Sequence, residues 1–404
     1  MIKHKLQGKI YLTAFLMSVA LCSAHAFSAT KDEITSKEEP DGFSYKFGGK
    51  IQLRAESYDD LFSNNGDREA AYYVRRAEFS VDGRLMKSLN YEIKLKSDYE
   101  GNVILRDAYI SYDLTKRSEI LVGRFDPDFG LELSGSNSWT TANERSSIWD
   151  LVKNAGDGSD GGGLAFRTAQ KHFFVSLGGF DFSDSKVLNA RASYMPINER
   201  NEVLHLGYSV RQARYDSVDY GVIRTDLGVW GVHVLDNGNS TRLARDSRGF
   251  GFNDDLTQVA ELAYLHGPFS IQGEFLDRKF NGAKGDEDRS AKGNYVQFAY
   301  TITGESRSYS TKSATFGKIK PAHKYGAWEL FYRQENLDTD GEAGMLSHGR
   351  HHGEASSQVA GVNWYLMDYA KISANYILGD APLIPNDVGD EKGKAVSLQL
   401  QLRF

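Results

Sequence analysis

The sequence predicts an all-β fold, a transmembrane antiparallel β-barrel of sixteen strands with long loops folding into its lumen. Apolar and polar residues alternate with a period of two in segment after segment of the 404-residue chain. Long and short connections alternate between these segments, as in barrels with long loops on one membrane face and tight turns on the other. Beyond the N-terminus, no apolar run approaches the roughly 18 residues that a spanning helix needs, which excludes a membrane protein built from helices.

The segment before the barrel is predicted to be an export signal and a leader. A basic start, an uncharged apolar stretch and the small residues of "AHA" at 24–26 are typical of a secretory signal peptide, predicted as residues 1–26. Residues 27–42 form a polar N-terminal leader, and residues 43–404 form the barrel. Cys22 is the only cysteine and leaves with the signal peptide, which excludes a disulfide-stabilised scaffold and cysteine-based metal or redox sites. The net charge of -6 excludes a general nucleic-acid binder.

The first predicted strand, "FSYKFGGKIQLRAE" at 43–56, shows the pattern that the others repeat. Its odd positions are mostly aromatic or aliphatic, and its even positions include Lys46, Lys50, Arg54 and Glu56. Burying such charges in a protein core would cost several kcal/mol each unless they were paired. We therefore predict that the apolar face contacts lipid and that the charged face lines a water-filled lumen.

Sixteen such segments follow one another, and their lengths suit strands that cross a bilayer at a tilt, roughly 9–11 residues each. They lie near residues 43–56, 72–85, 89–99, 104–114, 118–126, 161–168, 172–181, 187–195, 203–213, 256–266, 268–279, 293–304, 325–337, 356–367, 370–379 and 394–404. Connections after odd-numbered strands are long, and those after even-numbered strands are short. Residues 305–324 are the exception, a long connection where a short turn is expected.

Two features predict the bacterial outer membrane as the location. Aromatic residues near strand ends suit interfacial girdles; they are Tyr45, Tyr58, Tyr99, Tyr112, Trp364 and Tyr365. The terminal Phe404, after alternating apolar residues, looks like the signal by which outer-membrane barrels are presented to their assembly machinery. The predicted surroundings are therefore outer-membrane lipid and lipopolysaccharide, with the barrel assembly machinery as a transient partner.

Two long loops are candidates for narrowing the lumen. A barrel this wide leaves an open channel unless something folds into it. Residues 127–160 are rich in Gly and Ser and contain Glu144 and Arg145. Residues 214–255 contain five arginines: Arg214, Arg224, Arg242, Arg245 and Arg248.

Several long motifs resemble the phosphate-selective porin O and P family. They include "VRRAEFSVDGRL", "LVGRFDPDFGLELSGSNSWTTANERSSIWDL" and "KIKPAHKYGAWELFYRQENL", and the resemblance runs from about residue 43 to Phe404. It implies a homotrimeric, sixteen-stranded porin for passive diffusion of small anions, with phosphate or oligophosphate as the expected solutes. It also implies that the third and fifth long loops and the turn 305–324 dip into the lumen.

A ladder of basic side chains is the expected route for anions. Such side chains replace the hydration that an anion loses, and guanidinium forks match phosphate oxygens. By motif position, the resemblance places the family's ladder on Arg54, Arg75, Arg76, Arg145 and Arg224, with Arg242 or Arg245 less securely placed. The parity of the alternation adds further basic residues in the lumen: Lys46, Lys50, Lys94 and Lys96.

Parity also raises two alternatives for single arginines. Arg75 has the parity of the lipid face, so either a bulge turns it inward or it lies above the membrane. A lumen arginine can also serve as a structural partner of a nearby carboxylate, for example Arg76 with Glu78.

Departures from the family pattern leave the preferred solute open. Leu133 stands where a lysine of the constriction is expected, and the fifth loop is thinned to "VIRTDLGVW", with Asp226 and Trp230 near Arg224. A porin of the same family with relaxed or different selectivity is therefore the alternative.

Two other classes also remain open, an outer-membrane barrel enzyme and a receptor plugged by its loops. His205 or His233 could belong to a catalytic set at the rim, although the sequence shows no catalytic motif and we expect no enzyme. The histidine-rich "HGRHHG" at 348–353 is predicted to be a surface loop. No cofactor or metal is expected.

Overall fold

The structure is a computed structural model. The residues it describes are 42–63, 70–97, 101–152, 161–221, 223–231, 241–244, 250–283, 285, 287–340, 354–381 and 392–404. The predicted signal peptide, and all but one residue of the predicted leader, lie outside this part of the chain and stay predictions. None of the helices in the described part is long and apolar enough to cross a membrane.

The described residues form twenty strands, and sixteen of them close into one antiparallel barrel. The barrel strands are β1 (Ser44–Asp60), β2 (Ala70–Met86), β3 (Leu89–Ser97), β4 (Val103–Thr115), β5 (Ser118–Arg124), β6 (Gly162–Ala169), β7 (Phe173–Asp181), β8 (Ser185–Glu199), β9 (Glu202–Gly221), β12 (Phe250–His266), β13 (Phe269–Gly282), β14 (Arg289–Thr301), β17 (Ala327–Asp340), β18 (Ala355–Met367), β19 (Ala370–Asp380) and β20 (Lys392–Arg403). The remaining strands form two small hairpins, β10 (Ile223–Thr225) with β11 (Thr241–Ala244), and β15 (Arg307–Ser310) with β16 (Thr315–Ile319). The predicted fold and strand number are confirmed.

Pairing of the first and last strands closes the barrel. β1 pairs with β20 in an unbroken register from Lys50 opposite Arg403 to Asp60 opposite Gly393. Beyond this ladder, Gly49 and Phe404 exchange two backbone hydrogen bonds of 2.9 and 3.1 Å. Closure removes the unpaired strand edges that an open sheet would expose.

The two faces of the strands differ as the alternation predicts. Outward side chains are apolar and exposed, such as Ile51, Val74 and Leu188, whose exposed fractions are 40%, 52% and 67%. Inward side chains are largely polar, and Gln52 and Arg191 are almost completely buried. Because the exposed face is the apolar one, lipid is its compatible solvent.

Leu177→Arg tests this assignment of the outer face. Leu177 lies at the middle of β7 and is 52% exposed. An arginine on the lipid face near the bilayer midplane is expected to lower the free energy of unfolding by about 2–4 kcal/mol. Urea unfolding from lipid vesicles measures the change, with Leu177→Ala as the uncharged control. Equal stability of the two variants would mean that this face does not meet lipid.

Several strands are longer than predicted, most clearly β9 and β12. β9 continues past 203–213 to Gly221, and β12 starts before 256–266 at Phe250, where the two strands still pair with each other. The apolar alternation stops earlier because residues such as Arg214 and Asp216 make the outward face polar there. The backbone pairing of β9 and β12 continues beyond the end of this apolar alternation.

Two residues of the predicted aromatic girdles lie inside the barrel. Tyr58 is 4% exposed and Tyr365 is 1% exposed. Tyr365 follows Trp364 directly, so the two side chains point to opposite faces of β18. The Tyr365 hydroxyl donates to the carboxylate of Glu329, 2.9 Å away. Tyr99 lies outside the described residues.

Candidate functional site

The third long loop, which follows β5, crosses the lumen and binds the opposite wall. Its Asn143 side chain donates to the carbonyl oxygen of Ser397 on β20, 3.1 Å away. Its Thr141 carbonyl accepts a bond of 2.8 Å from Asn363 on β18. The predicted constriction by residues 127–160 is therefore confirmed for the part up to residue 152 that the structure describes.

A short helix, α1 (Leu131–Ser134), anchors the beginning of this loop. The Glu274 carboxylate of β13 accepts from the backbone nitrogens of Leu131 and Glu132, at 2.6 and 3.1 Å. Gly130 before the helix has φ 68° and ψ 163°, a conformation that favours glycine. A Cβ at Gly130 would overlap the ring of Trp149 and lie 2.8 Å from Glu274 Oε1. Only glycine therefore fits this anchor.

The hairpin β15–β16 enters the lumen from the end that carries the short turns. Arg307 pairs with Glu329 at 2.6 Å and donates to the Trp139 carbonyl of the third loop at 2.8 Å. Arg191 on β8 donates to the carbonyl oxygens of Ser313 and Ala314, at 2.7 and 2.9 Å. Ala314 is buried in an apolar cluster with Phe174, Met195, Val203 and Leu265. The expectation that the turn 305–324 dips into the lumen is confirmed.

The loop and the hairpin cover one side of the lumen and leave the other open. Inward side chains on β8, β9, β12–β14 and β17–β20, which we call the covered wall, are buried, for example Thr257, Gln297 and Ser373. Most inward side chains on β2–β5, the open wall, are partly exposed, as Asn90 and Lys96 are. The water-filled path therefore follows the open wall.

β-bulges turn two arginines toward this path. Gln52 pairs with Arg76 and Leu53 pairs with Val74, so Arg75 is the extra residue of β2. Of the two alternatives that parity left for Arg75, the structure shows the bulge. Arg106 is the extra residue of β4 in the same way, and its guanidinium forms an ion pair with Asp107 at 3.2 Å.

Arg106 is a pore-facing residue that sequence reasoning missed. Its signal was the dipeptide "RD", in which two consecutive charged residues interrupt the alternation of a strand, as "RR" does at Arg75 and Arg76. A bulge resolves such a conflict because it brings both side chains to one face.

Three arginines of the predicted ladder converge on one carboxylate of the third loop, Glu144. Arg75 binds it with two parallel bonds, Nε to Oε1 at 2.6 Å and Nη2 to Oε2 at 2.9 Å. Arg76 Nη2 lies 3.0 Å from Oε2, and Arg54 forms a further ion pair with Oε1. Burial raises the pKa of Glu144, but the three guanidinium groups hold it well below its usual range. Glu144 is therefore ionised at neutral pH, and the cluster keeps an excess of positive charge.

The fifth long loop meets the same cluster. Trp230 stacks on Arg75, with the guanidinium carbon 3.8 Å from the ring centroid. The Gly231 nitrogen donates to Glu56 Oε2 at 2.6 Å, and Val229 is fully buried. The expectation that this loop enters the lumen is confirmed for residues 225–231, and Trp230 covers an arginine of the ladder.

Arg145 is held by backbone oxygens. Its Nη2 donates to the Gly135 carbonyl at 2.7 Å and its Nε to the Glu132 carbonyl at 3.3 Å. In the described part of the chain, no carboxylate forms an ion pair with it. Burial lowers the pKa of Arg145; the Glu132 carboxylate opposes this shift and the nearby Arg106 adds to it. Leu133 is partly buried and packs against the apolar core of the loop.

The arginines of the fifth loop are only partly placed. Arg224 and Arg242 are cross-strand partners in the hairpin β10–β11. Nothing is described of their side chains, and Arg245 lies outside the described residues. Their assignment to the ladder stays a prediction.

The predicted lumen lysines of β1 and β3 fall into two groups. Lys50 pairs with Glu78 at 2.9 Å, and Lys94 pairs with Asp107 at 2.8 Å. The suggested pairing of Arg76 with Glu78 is therefore wrong, because Glu78 forms its ion pair with Lys50 and Arg76 forms one with Glu144.

The second group consists of Lys46 and Lys96. Both have the inward parity of their strands. Lys46 is exposed and Lys96 is partly exposed. Neither forms a hydrogen bond or an ion pair with a described residue. These two ammonium groups are available to solutes in the channel.

The histidine considered for a catalytic set is not at the rim. His205 is completely buried, with Nε2 3.0 Å from Glu261 Oε2 and Nδ1 2.6 Å from the Tyr309 hydroxyl. Its contacts hold the hairpin β15–β16 against the wall. His233 and the histidines of 348–353 lie outside the described residues, and the described ones contain no group of three or more metal-ligating side chains placed to hold an ion.

Comparisons with known proteins agree with this architecture. A family model described as "Phosphate-selective porin O and P" matches residues 45–404. Porin O of Pseudomonas aeruginosa is 32% identical over 420 aligned positions, which cover 97% of this chain and 95% of that protein.

Solved structures show the same fold at low sequence identity. An anion-selective porin from Comamonas acidovorans has a TM-score of 0.57 at 12% identity, covering 90% of this chain and all of that one. OmpT, an outer membrane protein of Vibrio cholerae in a trimer form, has a TM-score of 0.55 at 12% identity, covering 90% of this chain and 99% of that one.

Proposed function

The chain belongs to the phosphate-selective porin O and P family and is an outer-membrane porin, and from this premise we propose that its channel prefers small anions, inorganic phosphate and other oxyanions among them. The proposed active form is a homotrimer in the bacterial outer membrane. Residues 1–26 direct export and are then removed, the barrel assembly machinery inserts residues 43–404, and outer-membrane lipid and lipopolysaccharide surround them. Permeation is passive, so the protein supplies a path rather than a reaction.

The arginine cluster around Glu144 carries the proposal. Arg75 and Arg76 are partly exposed to the lumen, with 11% and 16% of their side chains accessible, and only one carboxylate joins them. A low-dielectric constriction with surplus positive charge lowers the energy of an entering anion and raises that of a cation. Guanidinium forks also match the planar or tetrahedral oxygens of oxyanions.

The rest of the open wall supports the same preference. The acidic side chains Glu78, Glu92 and Asp107 already form ion pairs with basic residues. Lys46 of β1 and Lys96 of β3 face Asp82 and Glu78 on neighbouring strands but form no ion pair with a described residue. The matching family is named for phosphate selectivity, the Comamonas acidovorans protein for anion selectivity, and the Pseudomonas aeruginosa relative as a porin. These names support the proposed class of solute. The trimer form of the Vibrio cholerae protein supports the proposed assembly.

Planar-bilayer recording of the purified protein tests the function. In a potassium chloride gradient, the zero-current potential is expected to lie toward the equilibrium potential of chloride. A potential toward that of potassium would contradict the anion preference. An absence of conductance would favour a plugged receptor, and hydrolysis without conductance would favour a barrel enzyme.

The preferred solute is tested by current block in the same recordings. Phosphate and pyrophosphate are expected to reduce the chloride current because they compete for the basic path. Block by dicarboxylates but not by phosphate would favour the alternative of a family member with different selectivity. The departures at Leu133, Asp226 and Trp230 make this comparison necessary.

A further inference from the structure

The arginine cluster has the geometry of a complete oxyanion-binding site. Four N–H donors, from Arg54, Arg75 and Arg76, point to the two oxygens of Glu144. A carboxylate offers about four lone-pair positions, so the donors saturate it. The ring of Trp230 stacks on Arg75 and fixes the plane of its guanidinium. We propose that Glu144 is an internal ligand of this oxyanion site and that it keeps the affinity of the channel for permeating oxyanions low.

The backbone beside Glu144 is held without the help of its carboxylate. Asn143 is bound to both the carbonyl and the hydroxyl of Ser397, each at 3.1 Å. The backbone carbonyl of Glu144 accepts two bonds of 3.2 Å from Arg333. On the other side, the Ser147 nitrogen donates to Glu335 at 3.1 Å. Because these bonds keep the loop in place, the Glu144 side chain is not needed for docking and its role is with the arginines.

The site borders the water-filled path. The Glu144 side chain is 13% accessible, and so are parts of Arg75 and Arg76, on the side of the open wall. A solute in the lumen can therefore reach the cluster once the internal carboxylate is absent or displaced. Arg54 lies behind them, with a fully buried side chain.

Electrostatics gives Glu144 its effect on affinity. Without Glu144, the three guanidinium groups would share only Glu56, which lies 3.7 Å from Arg54 Nη1. Arg75 and Arg76 would then repel each other while partly dehydrated, which is costly unless an anion joins them. In the native chain Glu144 supplies this anion. Because Glu144 is part of the same polypeptide, no translational entropy is lost when it binds the arginines. A passing oxyanion must compete with it, so binding is weak and release is fast, as a high-flux channel requires.

Glu144→Gln tests the inference, which rests on the proposed anion preference. Glutamine keeps the size of the side chain and removes its charge, so an oxyanion from solution is expected to take the vacated position. Chloride current through single channels is recorded with added sodium phosphate, and separately with added sodium acetate. The half-blocking concentration of at least one of the two is expected to fall tenfold or more relative to the native channel. The two salts distinguish a tetrahedral from a planar preferred ligand.

Two further variants control the experiment. Glu199→Gln removes the same charge away from the cluster, where Glu199 forms only an exposed ion pair of 2.8 Å with Lys171. Its block is expected to match that of the native channel. Glu144→Asp keeps the charge and is expected to retain weak block. A Glu144→Gln channel with native half-blocking concentrations for both salts, or a gain that Glu199→Gln shares, would overturn the inference. If the native channel still prefers anions, only the inference about Glu144 fails and the proposed function stands.

Discussion

Replacing Gly130 with valine is expected to detach α1, the beginning of the third loop, from the covered wall and to make the open channel noisy. The left-handed backbone at Gly130 costs a β-branched residue on the order of 1–3 kcal/mol, and the added side chain collides with Trp149. The two backbone bonds to Glu274 that begin at the next residue are then lost. Single-channel recording should show current fluctuations in place of the steady native level, because a freed loop samples the lumen.

Gly135→Ala provides the matched control for this variant. Gly135 lies in the same loop with φ -73°, which any residue adopts, and the nearest atom to an added Cβ is the Glu132 carbonyl oxygen at 3.2 Å. We expect a steady current close to the native one. A Gly130→Val channel as steady as this control would show that the anchor at α1 does not hold the constriction.

Exchanging Lys46 and Lys96 for glutamate is expected to reduce or reverse the anion preference of the channel. The double variant changes the charge of the lumen by four units. Lys46 and Lys96 lie opposite Asp82 and Glu78 on neighbouring strands but form no ion pair with a described residue. Charges that line a channel change the local concentration of passing ions of either sign. The zero-current potential in a potassium chloride gradient should move toward that of potassium, and the shift should shrink as ionic strength rises.

A double variant outside the lumen isolates the effect of position from that of net charge. Lys171 and Lys186 are 59% and 62% exposed and form surface ion pairs with Glu199 and Asp216, which contribute little to stability. Changing both to glutamate gives the same four-unit shift away from the open wall. Equal zero-current potentials for the two double variants would contradict the assigned path.

The barrel was predictable because its signals are local. Each strand carries its own alternation, and the bilayer requires one apolar face for every strand. Strand ends such as Gly221 and Phe250 were not predictable, because backbone pairing outside the apolar band leaves no periodic trace. Parity did identify Arg75 as a residue in conflict with its strand, and the bulge resolved that conflict.

The centre of the candidate site was much less predictable. The resemblance pointed to Arg54, Arg75 and Arg76, but Glu144 lies 69 residues or more from Arg75 and Arg54 in the chain, and no local pattern links them. Their meeting depends on the path of the third loop across the lumen. That path is set by contacts such as Glu274 with α1, which come from distant strands and have no sequence signature.

Cysteine accessibility tests most directly whether the aqueous path follows β2–β5. Cys22 is the only native cysteine and lies in the predicted signal peptide, so the barrel offers a background free of thiols. Cysteines at Asn90 or Lys96 should react with an anionic methanethiosulfonate and change the current, whereas cysteines at Gln297 or Ser373 should not. Rapid modification at the last two positions with none at the first two would place the path on the other wall and contradict the arrangement described.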